Sequence, residues 1–131
     1  LRSSANKVNK LSYVIKDSYN SVVGSIRFWN IKINGHSSRG LLLGPLAIHP
    51  IYQSEGLGEK LVLNSIEQAS ADNWNWVILV GDVDYYSKFG FSKEATRGIS
   101  LGYGLDDTRL LGLDINESFL NQAVGMLIKA D

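Results

Sequence analysis

Leu41-Leu42-Leu43-Gly44-Pro45-Leu46-Ala47-Ile48-His49-Pro50-Ile51-Tyr52-Gln53-Ser54-Glu55-Gly56-Leu57-Gly58 decides the architecture. Its apolar first half, broken by Gly-Pro, predicts a central strand with a defect, because Pro45 has no N–H to give a ladder. His49-Pro50 ends that strand. From Leu57 to Ala71, Val62, Ile66 and Ala69 share one helical stripe with Lys60, Asn64 and Glu67 opposite, the pattern of an amphipathic helix. Trp76 to Val80 is then a bare apolar run, as in a strand covered on both faces. Strand, helix, strand in this order implies a right-handed parallel crossover.

The flanks add antiparallel strands. Tyr13-Val14-Ile15, within Leu11 to Lys16, reads as a strand, and Asp17 to Ser21 supplies turn residues. Val22 to Ile33 alternates, placing Val23, Ser25, Arg27, Trp29 and Ile31 on one face and Val22, Gly24, Ile26, Phe28 and Ile33 on the other. Asn34-Gly35 predicts a type I′ turn, whose two central positions need positive φ. Asp82 to Phe89 fits two helical turns, stopped by Gly90 and followed by a return at Phe91. Beyond it, Gly98 to Asp107 reads as a glycine-rich loop, Arg109 to Leu113 as a strand, Asn116 to Gln122 as a helical turn and Ala123 to Lys129 as a last strand. The fold class is α+β, with a mixed, mostly antiparallel sheet and one parallel crossover, in a single domain over residues 1–131.

Composition narrows the chemistry. Hydrophobic residues make up 44% and charged residues 20% of the chain, enough apolar surface for a core. Thirteen basic and thirteen acidic residues cancel and are not bunched, so no nucleic-acid footprint is present. There is no Cys, and His36 and His49 are too few for a cluster, so neither disulfide, thiolate nor metal chemistry is expected. The longest apolar runs are far too short to span a bilayer and no charged-then-apolar leader opens the chain, which points to a cytoplasmic protein without membrane contact.

The junction Gln53-Ser54-Glu55-Gly56-Leu57-Gly58 has the most specific chemistry. The first turn of a helix carries N–H groups without intrahelical partners and a partial positive charge, so a strand-to-helix junction suits phosphate oxygens. Gly56 and Gly58 remove side chains that would block a pyrophosphate, and Gln53 can fix the loop. A P-loop is excluded, since Glu59 rather than Lys comes after Gly58, and a dinucleotide fingerprint needs three spaced glycines.

With its placement after a bulged strand, this Q-x-x-G-x-G run resembles the coenzyme A loop of the GNAT superfamily of N-acetyltransferases. The resemblance implies that backbone amides from Ser54 through Gly58 hold the diphosphate of acetyl-coenzyme A, and that the strand segment Leu46, Ala47, Ile48 offers backbone groups to the pantetheine arm. The anion would rest on amides and not on lysines. Glu55 departs from the pattern, because related sequences carry Arg or Lys there; a carboxylate facing the phosphates would weaken binding, and one facing solvent would be screened.

Val80-Gly81-Asp82-Val83-Asp84-Tyr85-Tyr86-Ser87-Lys88-Phe89-Gly90-Phe91 is similar to the GNAT segment in which a Tyr precedes Gly-Phe at a fixed interval, and that spacing selects Tyr86. When an amine displaces the coenzyme A thiolate, a phenol within reach can protonate the leaving sulfur, and a phenol with a pKa of about 10 is a competent donor at neutral pH. Tyr86 is therefore the expected general acid. Tyr85 reads as a packing residue, Asp82 as the cap of the short helix and Asp84 as a first-turn carboxylate.

The matched segments span Leu43 to Phe91 and resemble a YhbS-like bacterial subgroup. Members of the superfamily ordinarily open with a strand and two helices that wall the acceptor site, where this chain has about ten residues before its first hairpin. Three readings are open: an N-acetyltransferase acting on a small-molecule or peptide amine, a catalytically weak or inactive coenzyme A sensor or partner-binding module on the same fold, or a structural interaction domain without a ligand; a homodimer is compatible with the sequence. No general base stands out. His49 reads as structural, and Trp29, Trp74 and Trp76 read as packing in preference to an acceptor pocket.

Overall fold

The computed structural model describes residues 6–102 and 104–130. Its strands are β1 (Asn6–Lys7), β2 (Tyr13–Lys16), β3 (Val22–Ile33), β4 (Gly40–Ile48), β5 (Trp76–Val80), β6 (Ile99–Ser100), β7 (Leu110–Asp114) and β8 (Gly125–Lys129). Among the described residues two α-helices accompany them, α1 (Leu57–Ala71) and α2 (Val83–Tyr86). The sheet runs β6-β8-β3-β4-β5-β7, with β1 and β2 also paired to β3. Among the described residues only β4–β5 and β6–β8 are parallel pairs. The mixed sheet and its parallel crossover are as the sequence predicts.

The sheet separates two buried layers. On one face Ile26, Phe28, Leu41, Leu43, Val77 and Leu79 meet Leu61, Val62 and Ala69 of α1. On the other, Ile31, Ile33, Leu42, Trp76 and Ile78 meet Leu110, Leu120, Ala95 and Ala123, carried partly on 3-10 turns at Glu94–Thr96 and Leu120–Gln122. Each such buried aliphatic side chain contributes roughly 1.5–3 kcal/mol of transfer free energy. Ser65, fully buried in α1, returns its hydroxyl to the Leu61 carbonyl at 2.7 Å, so the helix face toward the sheet hides no unpaired polar group.

Three local expectations are corrected. Ile33 shares the face of Ile31 and not that of Phe28, as the two-residue period requires for odd positions. At Asn34-Gly35 the Ile33 carbonyl accepts from His36 at 2.9 Å, but only Gly35 has positive φ (89°), so the turn is not type I′. The chain rejoins the sheet at Gly40, not directly after the turn, so the connection is too long to need a two-residue hairpin. Lastly, the loop Gly98 to Asp107 contains β6, whose pairing with β8 supplies a ladder that local composition does not announce.

The defect in β4 shapes the rest of the sheet. β4 pairs with β5 only over Gly40–Leu42 against Trp76–Ile78. On its other side the register with β3 slips between Ile26 and Phe28, opposite Leu46 and Leu43, where Gly44 and Pro45 intervene. Trp29 Nε1 donates to the Gly44 carbonyl at 2.6 Å and holds the bulge. Past Leu42 and Ile78 the two parallel strands therefore part, while β5 continues along β7 to Val80. A wedge opens in the sheet.

Candidate active site in the opened sheet

Two clefts meet along the freed edge of β4. The first, of about 510 Å³, lies at the N-terminus of α1 and is lined by Leu46, Ile48, Gln53, Ser54, Gly56, Gly58, Glu59, Tyr85 and Lys88. The second, of about 540 Å³, lies in the wedge itself, lined by Leu42 through Leu46, Val80 and Tyr86, with Leu101 and Leu105 across from them. Leu46 belongs to both.

Backbone polarity along β4 is set by one bond. His49 N donates to the Val23 carbonyl at 2.7 Å, so strand alternation turns the N–H and C=O of Ala47 toward β3 as well. Leu46 and Ile48 then face the opened side. Of the three residues expected to meet pantetheine, Leu46 and Ile48 have backbone groups on the wedge and Ala47 has its own in the sheet ladder. Gln53 Nε2 donates to the Ile48 carbonyl at 3.2 Å, which ties the loop to the strand and leaves the Ile48 N–H and both Leu46 groups on the open edge.

The turn into α1 presents its amides. Residues Pro50–Glu55 form a 3-10 segment, and Gly56 joins it to α1 in the left-handed region (φ 75°), a conformation costly for residues with a Cβ. The α-helical ladder begins with Lys60 N donating to Gly56 O at 3.1 Å, so the amides of Leu57, Gly58 and Glu59 precede it. A Cβ on Gly58 would lie 2.8 Å from the Tyr85 hydroxyl, so the wall of the cleft closes down to the glycine backbone. Ser54, Gly56 and Gly58 line the cleft; the Leu57 side chain does not, and Glu55 is exposed and outside the lining. Its charge there is open to screening by solvent.

Tyr86 is positioned by α2 and by the turn at Ser87–Gly90. Asp82 Oδ1 accepts from Asp84 N at 3.0 Å and caps the helix, as the sequence suggests. Gly90 closes the next turn with φ 96°. The Tyr86 ring lies on Gly81, where a Cβ would approach Cε2 within 2.7 Å, and packs edge-on against Phe91 at 5.9 Å. Among the described residues its hydroxyl has no hydrogen-bond partner, and it borders the wedge. Burial, with a smaller contribution from neighbouring Tyr85, holds the Tyr86 phenol above its ordinary 10.0. It therefore keeps its proton at neutral pH.

Sequence reasoning missed three groups of the first cleft. Tyr85, read as packing, points its hydroxyl at Gly58 and forms part of the wall. Lys88 lies across from α1 and pairs with Glu59 at 2.8 Å, so a lysine does stand in the cleft that was expected to rely on amides alone. The Y-x-K-x-G-F spacing that selects Tyr86 also contains Lys88, which is the available signal. The other candidates are structural: His49 Nδ1 accepts from Ile51 N at 3.3 Å, Trp76 is buried and stacked near Phe119, and Trp74 lies under Arg39. None of the three tryptophans lines either cleft. Among the described residues no helix is long and apolar enough to cross a membrane, and no group of three or more potential metal ligands is found.

Comparison with known proteins agrees with this geometry. The family model described as an acetyltransferase (GNAT) domain matches residues 9–93, from the entry to β2 through Tyr86 and Phe91. The chain belongs to the GNAT acetyltransferase family. Its similarity to the Escherichia coli K12 protein YhbS, described as an uncharacterized N-acetyltransferase, is 28% identity over 85 residues, 65% of this chain and 51% of that one. YjhQ of the same organism, described likewise, is 34% identical over 71 residues, 53% of this chain and 39% of its own. The chain thus spans about half the length, or less, of these curated relatives. Among solved structures, E. coli YhbS in complex with CoA superposes with a TM-score of 0.77 at 23% identity, over 87% of this chain and 63% of that one. A GNAT family acetyltransferase from Brucella melitensis in complex with acetyl-CoA gives 0.68 at 25% identity, over 91% and 65%. The splayed β4–β5 pair is thus set within a GNAT fold.

Proposed function

We propose that this GNAT chain binds acetyl-coenzyme A along β4 and transfers its acetyl group to an amine, with Tyr86 as the proton donor. The observation that carries the reading is the opening between β4 and β5, with unpaired helix amides at one end and the Tyr86 phenol at the other. Coenzyme A in the YhbS and Brucella complexes supports the class of ligand. The residues here suit it: the Gly56–Gly58 turn admits a diphosphate to backbone N–H groups, and the Leu46 and Ile48 edge offers donors and an acceptor to the amides of pantetheine.

Acetyl-coenzyme A supplies the acetyl group as a thioester. Transfer forms a C–N bond, breaks the C–S bond and leaves the sulfur short of one proton. Tyr86 holds that proton, and its raised pKa makes it a donor that is fully protonated before each turnover. The amine's surplus proton passes to water, from which Tyr86 is reprotonated. Leu43, Val80, Leu101 and Leu105 line the wedge with apolar side chains beside the place the thioester would take, so fewer polar groups compete there with the phenol for the developing thiolate.

A thermal-shift titration with acetyl-coenzyme A, and then a panel of primary amines monitored for free thiol, tests the reading. A ligand preferring the folded state raises the melting temperature. An unchanged melting temperature at millimolar acetyl-coenzyme A would refute coenzyme A binding, and binding without thiol release across the panel would refute transfer by this chain.

A further inference from the structure

One group in the coenzyme A cleft works against an anion. Glu59 occupies the first turn of α1 and lines the same cleft as Ser54, Gly56 and Gly58. In the free protein that position favours a carboxylate, because the unpaired amides and the positive end of the helix attract it. A diphosphate requires the same end. Across the cleft, Lys88 Nζ lies 2.8 Å from Glu59 Oε1 and 4.5 Å from the centre of the Tyr85 ring. Lys88 is the one cation among the described residues lining this cleft, and a carboxylate already holds it.

Structural need does not explain the pair. Both side chains are about half exposed (49% and 50%), and exposed ion pairs of this kind contribute little to stability. Its placement between α1 and the turn after α2 is what distinguishes it. A lysine ammonium has three rotatable donors on a flexible stem, so it can exchange a carboxylate for a phosphate without disturbing the core.

We infer that the Glu59–Lys88 pair is an internal competitor of the diphosphate, with Glu59 setting the affinity for coenzyme A by engaging Lys88 in the free protein. This rests on the proposed function. Binding exchanges the Lys88 partner from carboxylate to phosphate and leaves Glu59 to be screened by solvent at the lip of the cleft. Glu59 lowers affinity in two ways: it repels the incoming anion directly, and it withholds the cation that would meet it.

Calorimetric titration of coenzyme A into the wild-type chain, Glu59→Gln, Lys88→Gln and the double variant tests this. Glu59→Gln is expected to tighten coenzyme A binding by about threefold to tenfold at low salt, with the gain shrinking as ionic strength rises toward ~0.5 M. Lys88→Gln is expected to weaken binding, and in its background the gain from Glu59→Gln is smaller, because there is no cation to release. Dephospho-coenzyme A, which keeps the diphosphate and lacks the 3′-phosphate, should show the same gain. An unchanged or weaker affinity in Glu59→Gln, with normal binding by the wild type, overturns the inference and leaves the proposed function standing. A gain that vanishes with dephospho-coenzyme A also overturns it, since the contact would then be to the 3′-phosphate. If the wild type and all variants fail to bind coenzyme A, the proposed function falls and the inference with it.

Discussion

Replacing Gly58 by Ala should stabilise the free protein while weakening its ligand. Gly58 lies inside α1 with helical backbone, and Gly-to-Ala exchange within a helix gains up to about 1 kcal/mol, roughly half of that so near the end. Against this stands the Tyr85 hydroxyl, 2.8 Å from the new methyl. That oxygen is the far end of a half-buried side chain bordering an open cleft, so a shift of a few tenths of an ångström relieves it. The other neighbours, Ile48 Cγ1 at 3.6 Å and Leu46 Cδ2 at 3.9 Å, are in ordinary contact. The net gain is about 0.5 kcal/mol, or roughly 2 °C in melting temperature for a chain of this size. Acetyl-coenzyme A at a hundred times its Kd adds about 2.7 kcal/mol, or roughly 10 °C. A methyl between the helix amides and the phosphates that loses tenfold in affinity reduces this to about 1.4 kcal/mol, roughly half the shift. Differential scanning fluorimetry with and without ligand reads both effects at once. A full ligand-induced shift in Gly58→Ala would refute the placement of the diphosphate, and a lower melting temperature without ligand would show that Tyr85 cannot yield.

Tyr86→Phe keeps the ring contacts with Gly81 and Phe91, so melting should stay within about 1 kcal/mol while kcat falls by about 10²- to 10⁴-fold at unchanged KM; wild-type turnover in the variant would exclude the phenol as donor. Because burial raises the Tyr86 pKa in the folded state, its contribution to stability is complete below the unfolded value of about 10 and is lost as pH rises through the folded value, so Tyr86→Phe should flatten the alkaline arm of a stability–pH profile. Gly40→Ala should cost about 3 kcal/mol or more, since a Cβ there would lie 2.1 Å from the fully buried Trp76 ring, and a melting temperature near wild type would contradict this packing. Trp29→Phe removes the 2.6 Å bond to the Gly44 carbonyl and should cost about 1 kcal/mol in denaturant unfolding together with a measurable loss of coenzyme A affinity, whereas loss of stability with unchanged affinity would separate the bulge from the site.

β3 and α1 were legible because each is long enough to show its period, and β5 because a short apolar run bounded by polar residues follows the helix. Val22 to Ile33 and Leu57 to Ala71 coincide with β3 and α1, and Trp76 to Val80 with β5. Their burial follows the pattern read from them except at the ends of β3, where Ile33 lies on the face opposite to the one expected and Val22 is exposed; in α1, Leu61 and Ser65 join Val62 and Ala69 on the buried face. β1 and β6 were not legible, at two residues each, because their pairing with β3 and β8 comes from tertiary proximity and leaves no local period. Asn34-Gly35 misled for a related reason: a strong turn dipeptide sets a turn, but the distance to the next paired residue at Gly40 decided which turn.

At the site, backbone functions were easier to find than side-chain ones. A glycine pair after a strand is informative because amides occur at every position and only the obstruction by side chains varies, so Gly56 and Gly58 announce what the backbone can do. Tyr86 was reached through its spacing to Gly90-Phe91. Lys88 and Glu59 were not, since they are 29 residues apart in the chain although 2.8 Å apart in space, and no period relates a helix's first turn to the turn after the next strand. The parallel pairing of β4 and β5 puts the C-terminal ends of both strands, and with them the two segments, at the same cleft. The charge balance of the cleft is thus a property of the crossover: each residue alone reads as a surface charge, and together they determine how readily an anion enters.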